Sequence, residues 1–219
     1  MESPRPGSAT AYTCPMHLPL PGPELVALIV AVSFAAGLNV YATVATLGIL
    51  AHTNFLALPP ALHPIASWWI IGASAALFAV EFFADKVPAF DLVWNALHTF
   101  IRIPVAALIA WRATATLTPQ EQLLVSLLGA AIAFAAHGGK TALRAAVTPS
   151  PEPLSNIGLS LGEDVIAVSL TWLATHHPYL AGSIAAALVL AVVLLIRLVW
   201  RALRALFRGA EQAVEQTGT

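Results

Sequence analysis

Long apolar runs, separated by short segments rich in proline, dominate the chain. Each run is close to the ~20 residues that an α-helix needs to cross a hydrocarbon layer of ~30 Å. Backbone amides within lipid must find partners inside their own segment, which favours helices over open sheets. The pattern predicts an all-α, polytopic membrane protein with about six transmembrane helices. The predicted helices are Glu24–Ile49, Ser67–Lys86, Leu92–Trp111, Glu121–Leu143, Asn156–Thr175 and Tyr179–Trp200.

Composition excludes a water-soluble domain and a nucleic-acid partner. Of 219 residues, 58% are hydrophobic and 10% are charged, whereas soluble domains carry about 25% charged residues. Too few charges remain to cover a soluble surface. The formal net charge of -1 also lacks the basic excess of proteins that bind phosphate backbones. The surrounding solvent is therefore predicted to be lipid.

Three regions are predicted along the chain: a proline-rich, disordered tail over residues 1–22, a transmembrane helical domain over 23–205 and a polar tail over 206–219. The first region lacks the order of basic end, apolar core and cleavage site that marks a signal peptide, so the first helix is expected to be retained. Met16 is an alternative start of the chain. The single cysteine, Cys14, excludes an intramolecular disulfide.

Basic residues predict the orientation, because cytoplasmic ends of membrane helices collect Lys and Arg. With both termini cytoplasmic, most bases fall on the inner side and Arg112 alone lies clearly outside. Most tryptophans would then lie at the outer interface, as expected for this residue type. The predicted location is the bacterial cytoplasmic (inner) membrane. The inner-side bases are Arg5, Lys86, Lys140, Arg144, Arg197, Arg201, Arg204 and Arg208.

The end of the last helix is predicted to contact lipid headgroups. Four arginines at steps of four, three and four lie on one helical stripe there, and such a stripe attracts the anionic lipids of the inner leaflet. The bilayer and its anionic headgroups are thus the predicted partners, and a homo-oligomer is compatible with the sequence. The four residues are Arg197, Arg201, Arg204 and Arg208.

Ionisable residues inside the predicted helices form a candidate substrate-binding site. Asp91, Asn95, His98 and Arg102 recur at steps of four, three and four and so share one helix face. Such groups are costly in lipid and usually face a partner or a polar cavity. The same argument selects residues on four other helices. The full candidate set is Arg102, Lys140, Arg144, His98, Asp91, Asn95, Asn39, Asn156, Glu163, Asp164, Asp85 and Lys86.

Helical hairpins hint at an internal repeat. The second and third helices form one hairpin and the fourth and fifth another, which would be a parallel repeat. Division into two halves of three helices would instead give an inverted repeat, the other common plan of transporters. The sequence leaves both open.

The polar residues carry a family resemblance. The chain resembles, over roughly Glu24 to Ala174, a family of bacterial membrane proteins described as domain of unknown function 4126. The resemblance implies that these residues serve one site, and it implies no activity. It rests on Gly37-Leu-Asn-Val-Tyr41, Ala84-Asp-Lys-Val-Pro88, Asp91, Trp94, His98, Arg102, His137, Lys140, Arg144, Ser150-Pro-Glu-Pro153, Asn156, Ser160, Glu163 and Asp164.

A shorter resemblance lies in the tail. Residues Tyr12–His17 resemble the opening of the heavy-metal-binding segment of copper-exporting P-type ATPases. Cys14, Met16 and His17 are ligand types suited to Cu(I), but the second half of that segment is missing. These three are weak metal candidates, and neither a metal site nor a cofactor is predicted.

Three functional classes remain open. The leading prediction is a small transporter or channel for an anionic solute or lipid headgroup, with Arg102, Lys140 and Arg144 binding the negative charge. The alternative is a non-catalytic scaffold or assembly protein whose buried charges form structural ion pairs. An intramembrane enzyme is least favoured, because the chain has no G-x-S-x-G elbow and no H-E-x-x-H metal motif.

Overall fold

The protein is all-helical throughout the residues that a computed structural model describes. These are 22–86, 88–147 and 153–217, with side chains described except at 88–92, 145–147, 153–156, 202–203 and 206–217. Seven α-helices and one 3-10 helix, Pro60–Ala66, follow one another there. The α-helices are α1 (Gly22–Leu38), α2 (Val40–His52), α3 (Trp68–Ala84), α4 (Pro88–Ala113), α5 (Pro119–Val147), α6 (Pro153–His176) and α7 (Pro178–Thr217).

Prolines begin these helices as well as interrupting the apolar runs. Pro88, Pro119, Pro153 and Pro178 are the first residues of α4 to α7. Proline suits that position because its missing N–H would have no partner in the first turn. At α5, Thr118 adds a cap, since its backbone N–H donates to Glu121 at 3.0 Å. The helix starts in the second half of the chain are therefore encoded locally.

The predicted first helix, Glu24–Ile49, is wrong. The helix ends at Leu38, and α2 begins at Val40 after Asn39 adopts extended backbone angles of φ -148° and ψ 102°. The Asn39 side chain accepts a hydrogen bond from the N–H of Ala42 and so caps the new helix. The apolar run concealed the break because both helices are apolar on nearly every side.

The chain reverses direction at this break. One cavity is lined by Gly22 and Leu25, at the beginning of α1, and by Phe55 and Leu58, just after α2. The beginning of α1 and the end of α2 therefore lie at the same end of the bundle. The two helices form a hairpin with Asn39 at its tip, and we call it the re-entrant hairpin because both of its outer ends lie on one side of the bundle. The predicted orientation differs from this arrangement, because it treats Glu24–Ile49 as one span whose two ends lie on opposite faces of the membrane.

Helix α1 is the centre of the bundle and contacts each of α4 to α7. A Cβ added to Gly37 would lie 2.5 Å from the carbonyl oxygen of Ala133, and one added to Gly182 would lie 2.9 Å from that of Ala27. Small residues thus bring α5 and α7 onto α1. Ser33 lies beside Gly129 and Gly37 beside Ala133, so α1 and α5 run in parallel.

Four helices are long and apolar enough to cross a membrane, within the part of the chain that the structure describes: Val93–Ala113, Pro119–Arg144, Ile157–His176 and Pro178–Arg201. The 3-10 helix and α3 pass the same test together, although they are bent by 60° at their junction, which would make a fifth span. Four or five spans therefore replace the predicted six, chiefly because α1 and α2 are each shorter than a span. Helix α7 continues well beyond its predicted end at Trp200.

Large apolar side chains face outward. Trp69 is 89% exposed and Phe100 is 81% exposed. An exposed apolar surface of this extent is unfavourable in water and is the normal exterior of a helical protein in lipid. Polar side chains, in contrast, are concentrated in the interior.

Candidate functional site

Among the side chains that the structure describes, seven ionisable groups meet inside the bundle, and we call them the ion cluster. They come from the end of α3 and from α4, α5 and α6, beside the tip of the re-entrant hairpin. Every member is at most 8% exposed. The members are Glu81, Asp85, Arg102, Lys140, Arg144, Glu163 and Asp164.

Arg102 is fully buried and is held from two sides. Its Nη2 forms an ion pair with Glu81 on α3. Its Nη1 lies 2.9 Å from Nδ1 of His137 on α5. An arginine cannot lose its charge in this environment, so the Glu81 carboxylate is the group that compensates it.

Lys140 and Arg144, one turn apart on α5, share the carboxylates of Asp85 and Glu163. The Nζ of Lys140 lies 3.1 Å from Glu163 and 3.4 Å from Asp85. The Nη2 of Arg144 lies 2.5 Å from Glu163 and 2.8 Å from Asp85. Ser160 lies 3.4 Å from the same Asp85 oxygen. Both bases therefore bridge the end of α3 to α6.

The hairpin tip contacts the cluster through both of its helix ends. The carbonyl oxygen of Leu38, at the end of α1, accepts a hydrogen bond from Nζ of Lys140 at 3.3 Å. The Nδ2 of Asn39, which caps α2, donates to Oδ1 of Asp164 at 2.8 Å. A base thus lies at a helix C-terminus and an acid at a helix N-terminus, as the helix dipole favours.

Two histidines extend this polar interior along α4 and α5. Nδ1 of His98 lies 2.7 Å from the carbonyl oxygen of Trp94, which only accepts, so this nitrogen donates. Its Nε2 lies 2.9 Å from the hydroxyl of Tyr41 on α2. The arrangement fits a neutral imidazole whose Nε2 accepts a hydrogen bond from the Tyr41 hydroxyl.

His137 is neutral by the same reasoning. The hydroxyl of Thr99 donates to the carbonyl oxygen of Asn95, so it accepts from Nε2 of His137 at 2.7 Å. The Nδ1 of His137 then carries no proton and accepts from Arg102. A second proton on this ring would oppose the guanidinium N–H, so Arg102 selects one tautomer.

The charges of the cluster do not balance. Four acids, namely Glu81, Asp85, Glu163 and Asp164, accompany three bases, and both histidines are neutral. Several buried polar atoms of the described cluster also have no hydrogen-bond partner. These atoms are Oε2 of Glu81, Oδ1 of Asp85, Nε of Arg102 and Oδ2 of Asp164.

Most predicted site residues with described side chains lie in this interior. Asn95 is 3% exposed, and its backbone carbonyl accepts from Thr99. Lys86 lies apart, because its Nζ donates to the carbonyl oxygen of Phe82 at 2.7 Å and rests over that ring. Six residues predicted from the sequence to bind a substrate, a lipid headgroup or a metal fall outside what is described, as backbone or as side chain. They are Asp91, Asn156, Arg208, Cys14, Met16 and His17.

The predicted set did not include Glu81, His137, Thr99 or Tyr41. Glu81 precedes Asp85 by one helical turn, and His137 precedes Lys140 by three residues, so helical spacing could have added both. Tyr41 is part of the family motif that begins at Gly37, whereas Thr99 carries no signal, because hydroxyl groups are common in packed membrane helices.

A second feature is a cavity of about 1050 Å³ at the end of the bundle where α1 begins. It lies between the two ends of the re-entrant hairpin and the α4–α5 and α6–α7 turns, and Glu24, His176 and His177 are among its polar lining residues. No group of three or more His, Cys, Asp or Glu side chains suited to a metal ion occurs among the residues described.

These features define an all-helical membrane protein with a buried polar interior. The chain belongs to the family described as "Domain of unknown function (DUF4126)", whose model matches residues 26–198. This confirms the family expected from the motifs. No curated protein and no solved structure matches the chain.

Proposed function

We propose that the protein is a small membrane transporter or channel whose polar site is the ion cluster together with the hairpin tip. The observation that supports this most directly is the re-entrant hairpin, with an open cavity between its two ends and its tip on buried charges. Discontinuous helices that direct their ends at a buried polar site are a feature of transporters. On α1 the cavity lining ends at Leu28, ten residues before Leu38, so a solute would reach the tip only as the hairpin moves.

The proposed cargo is an anionic solute or lipid headgroup. The ion pairs of the cluster set a condition on how such an anion can bind. Each base of the cluster lies within 4 Å of at least one carboxylate. An anion would therefore bind only as Glu163 or Glu81 is released from Arg144, Lys140 or Arg102. Binding and rearrangement of the cluster would be one event.

The proposed setting is a cytoplasmic (inner) membrane with the basic ends of α5 and α7 on the cytoplasmic side, as basic residues prefer. The start of α1 then lies on the opposite side. Helices α3 to α7 supply the proposed spans, and the hairpin enters from the outer side without crossing. The parallel repeat of hairpins, α3–α4 and α5–α6, stays a hypothesis within this arrangement.

Reconstituted protein provides the test. Proteoliposomes on a solid-supported membrane would be exchanged rapidly into phosphate, acetate or glutamate, and capacitive currents recorded. Transport predicts a current with at least one anion that is lost in Arg102→Gln and kept in Arg112→Gln, which alters an exposed arginine. If folded wild type gives no current and none of the three anions binds in native mass spectrometry, the transporter proposal fails.

A scaffold is the second candidate, favoured by the mutual pairing of Lys140 and Arg144 with Asp85 and Glu163. Such pairing fixes helix register without any ligand. The double variant Arg102→Glu with Glu81→Arg, which exchanges the two charges, distinguishes a scaffold from a transporter or channel. A scaffold would keep its fold and all its properties, whereas a conducting site would lose its currents.

Two partner proposals accompany this function. Arg197, Arg201 and Arg204 are exposed on α7, consistent with contact to anionic headgroups at the cytoplasmic face. The apolar faces of the bundle are also compatible with a homo-oligomer. Native mass spectrometry from mild detergent would report both lipid adducts and subunit number.

A further inference from the structure

Asp164 is the member of the ion cluster without a cationic partner among the residues described. Glu81 pairs with Arg102, and Glu163 pairs with Lys140 and Arg144. Asp164 is hydrogen-bonded to the neutral amide of Asn39. The surplus negative charge of the cluster therefore falls on this carboxyl group.

Among the residues described, Lys140 is the base that acts on Asp164, and it forms its ion pairs with Glu81, Asp85 and Glu163 instead. The residue is 6% exposed, and its Oδ2 is buried without a hydrogen-bond partner. The described ionisable side chains of α7, namely Tyr179, Arg197, Arg201 and Arg204, are exposed, and the hydroxyl of Tyr41 on α2 is directed to His98. An uncompensated carboxylate in such a place would be very costly.

A proton is the cation that fits. One carboxyl group and one amide supply too few oxygens for a metal ion, which would need several ligands. A proton needs a single oxygen, and Oδ2 is free while Oδ1 accepts from Asn39. Neutral Asp164 also brings the cluster to zero charge.

We infer that Asp164 is a proton-binding site at the tip of the re-entrant hairpin. Oδ2 takes up a proton from water to form a carboxylic acid, and it returns that proton to water when the tip moves and Asn39 no longer shields it. The inference deepens the proposed function, on which it rests, by naming the proton as the ion coupled to transport. Lys140, Glu81 and Asp85 are the charged groups that act on it most directly.

The chain permits a direct test because it contains three aspartates, Asp85, Asp91 and Asp164. Protein labelled with ¹³C at the aspartate side-chain carboxyl carbon would be studied by NMR in lipid nanodiscs at neutral pH. Three signals are expected, and the one lost in Asp164→Asn should have the chemical shift of a neutral carboxylic acid. Glu121→Gln, which removes an exposed carboxylate outside the cluster, serves as the control and should leave that signal in place.

The charge balance of the ion cluster provides a second test of the protonation of Asp164. Glu163→Gln removes one negative charge, so Asp164 should ionise to restore balance and its signal should move to the carboxylate position. A carboxylate signal for Asp164 in the wild type, or a signal unmoved by Glu163→Gln, would overturn the inference. Anion-evoked currents that persist unchanged in Asp164→Asn would leave transport intact and refute the coupling alone.

Discussion

At the scale of single residues, the ion pair between Arg102 and Glu81 gives the clearest prediction about the free energy of unfolding. Both side chains are fully buried. Loss of one partner leaves a buried charge uncompensated, which typically costs about 3–5 kcal/mol. We expect Arg102→Gln to lower the free energy of unfolding by about that amount, as measured by circular dichroism during titration of dodecylmaltoside micelles with SDS.

The double variant Glu81→Gln with Arg102→Gln should be more stable than Arg102→Gln alone, because it removes both charges together. Arg112→Gln is the surface control and should stay within about 0.5 kcal/mol of the wild type. Equal losses for Arg102→Gln and Arg112→Gln would show that the buried contact contributes nothing to stability.

The sequence predicted which polar residues turn inward and did not predict how they pair. Periodicity placed Asn95, His98 and Arg102 on one face of α4, and all three are buried. The selection of Glu81 by Arg102, rather than Asp85, depends on how α3 and α4 lie against each other. That geometry comes from tertiary packing, which helical spacing does not contain.

At the scale of helices, glycine contacts set the distance between α1 and its neighbours. A Cβ on Gly37 would lie 2.7 Å from the Cβ of Ala136 and still closer to the backbone of Ala133. Gly37→Ala should therefore force α1 and α5 apart and cost about 1–3 kcal/mol through overpacking. Thermal unfolding in detergent, followed by intrinsic fluorescence, would measure the loss.

Gly72 on α3 provides the matched control, because a Cβ there would meet nothing within 4 Å. Gly72→Ala should leave the melting temperature unchanged or raise it, since alanine is the better helix former by about 1 kcal/mol. A loss in Gly72→Ala as large as that in Gly37→Ala would contradict the close approach of α1 and α5.

Helix α7 makes a prediction about lipid. Arg201 and Arg204 are exposed in its C-terminal half, and the Arg204 guanidinium lies 5.1 Å from the Trp200 ring centroid. Each base near an anionic surface contributes about 1 kcal/mol to lipid attraction. Arg201→Gln with Arg204→Gln should thus reduce phosphatidylglycerol adducts in native mass spectrometry, whereas Arg112→Gln should keep them.

The helix starts of α4 to α7 could be anticipated from the sequence, and the division of the first run could not. Prolines separate the later helices, but no proline marks the break at Asn39, and Gly37 just before it is also explained by the close approach of α5. An asparagine within an apolar segment is also compatible with a continuous helix whose amide bonds to a neighbour. The partner that makes the break favourable, Asp164, lies far along the chain.

At the scale of the whole molecule, the re-entrant hairpin fixes which ends share a face. In a Cys14→Ser background, single cysteines would be introduced as Gly22→Cys, Phe55→Cys and Arg201→Cys, all at exposed positions. Labelling of sealed proteoliposomes with a membrane-impermeant maleimide should give the first two the same accessibility and the third the opposite one. A first helix that spans the membrane would instead separate Gly22→Cys from Phe55→Cys.

The central position of α1 has a consequence for biogenesis. Its packing partners, α4 to α7, are synthesised after it, and chains generally acquire structure from the N-terminus as they emerge. The hairpin therefore enters the bilayer with its small-residue surface and Asn39 unpacked. Its native form is completed only when α7, which contacts Ala27 through Gly182, has left the ribosome. We therefore expect α1 and α2 to be inserted first, without their packing partners, and to be enclosed later by the rest of the chain.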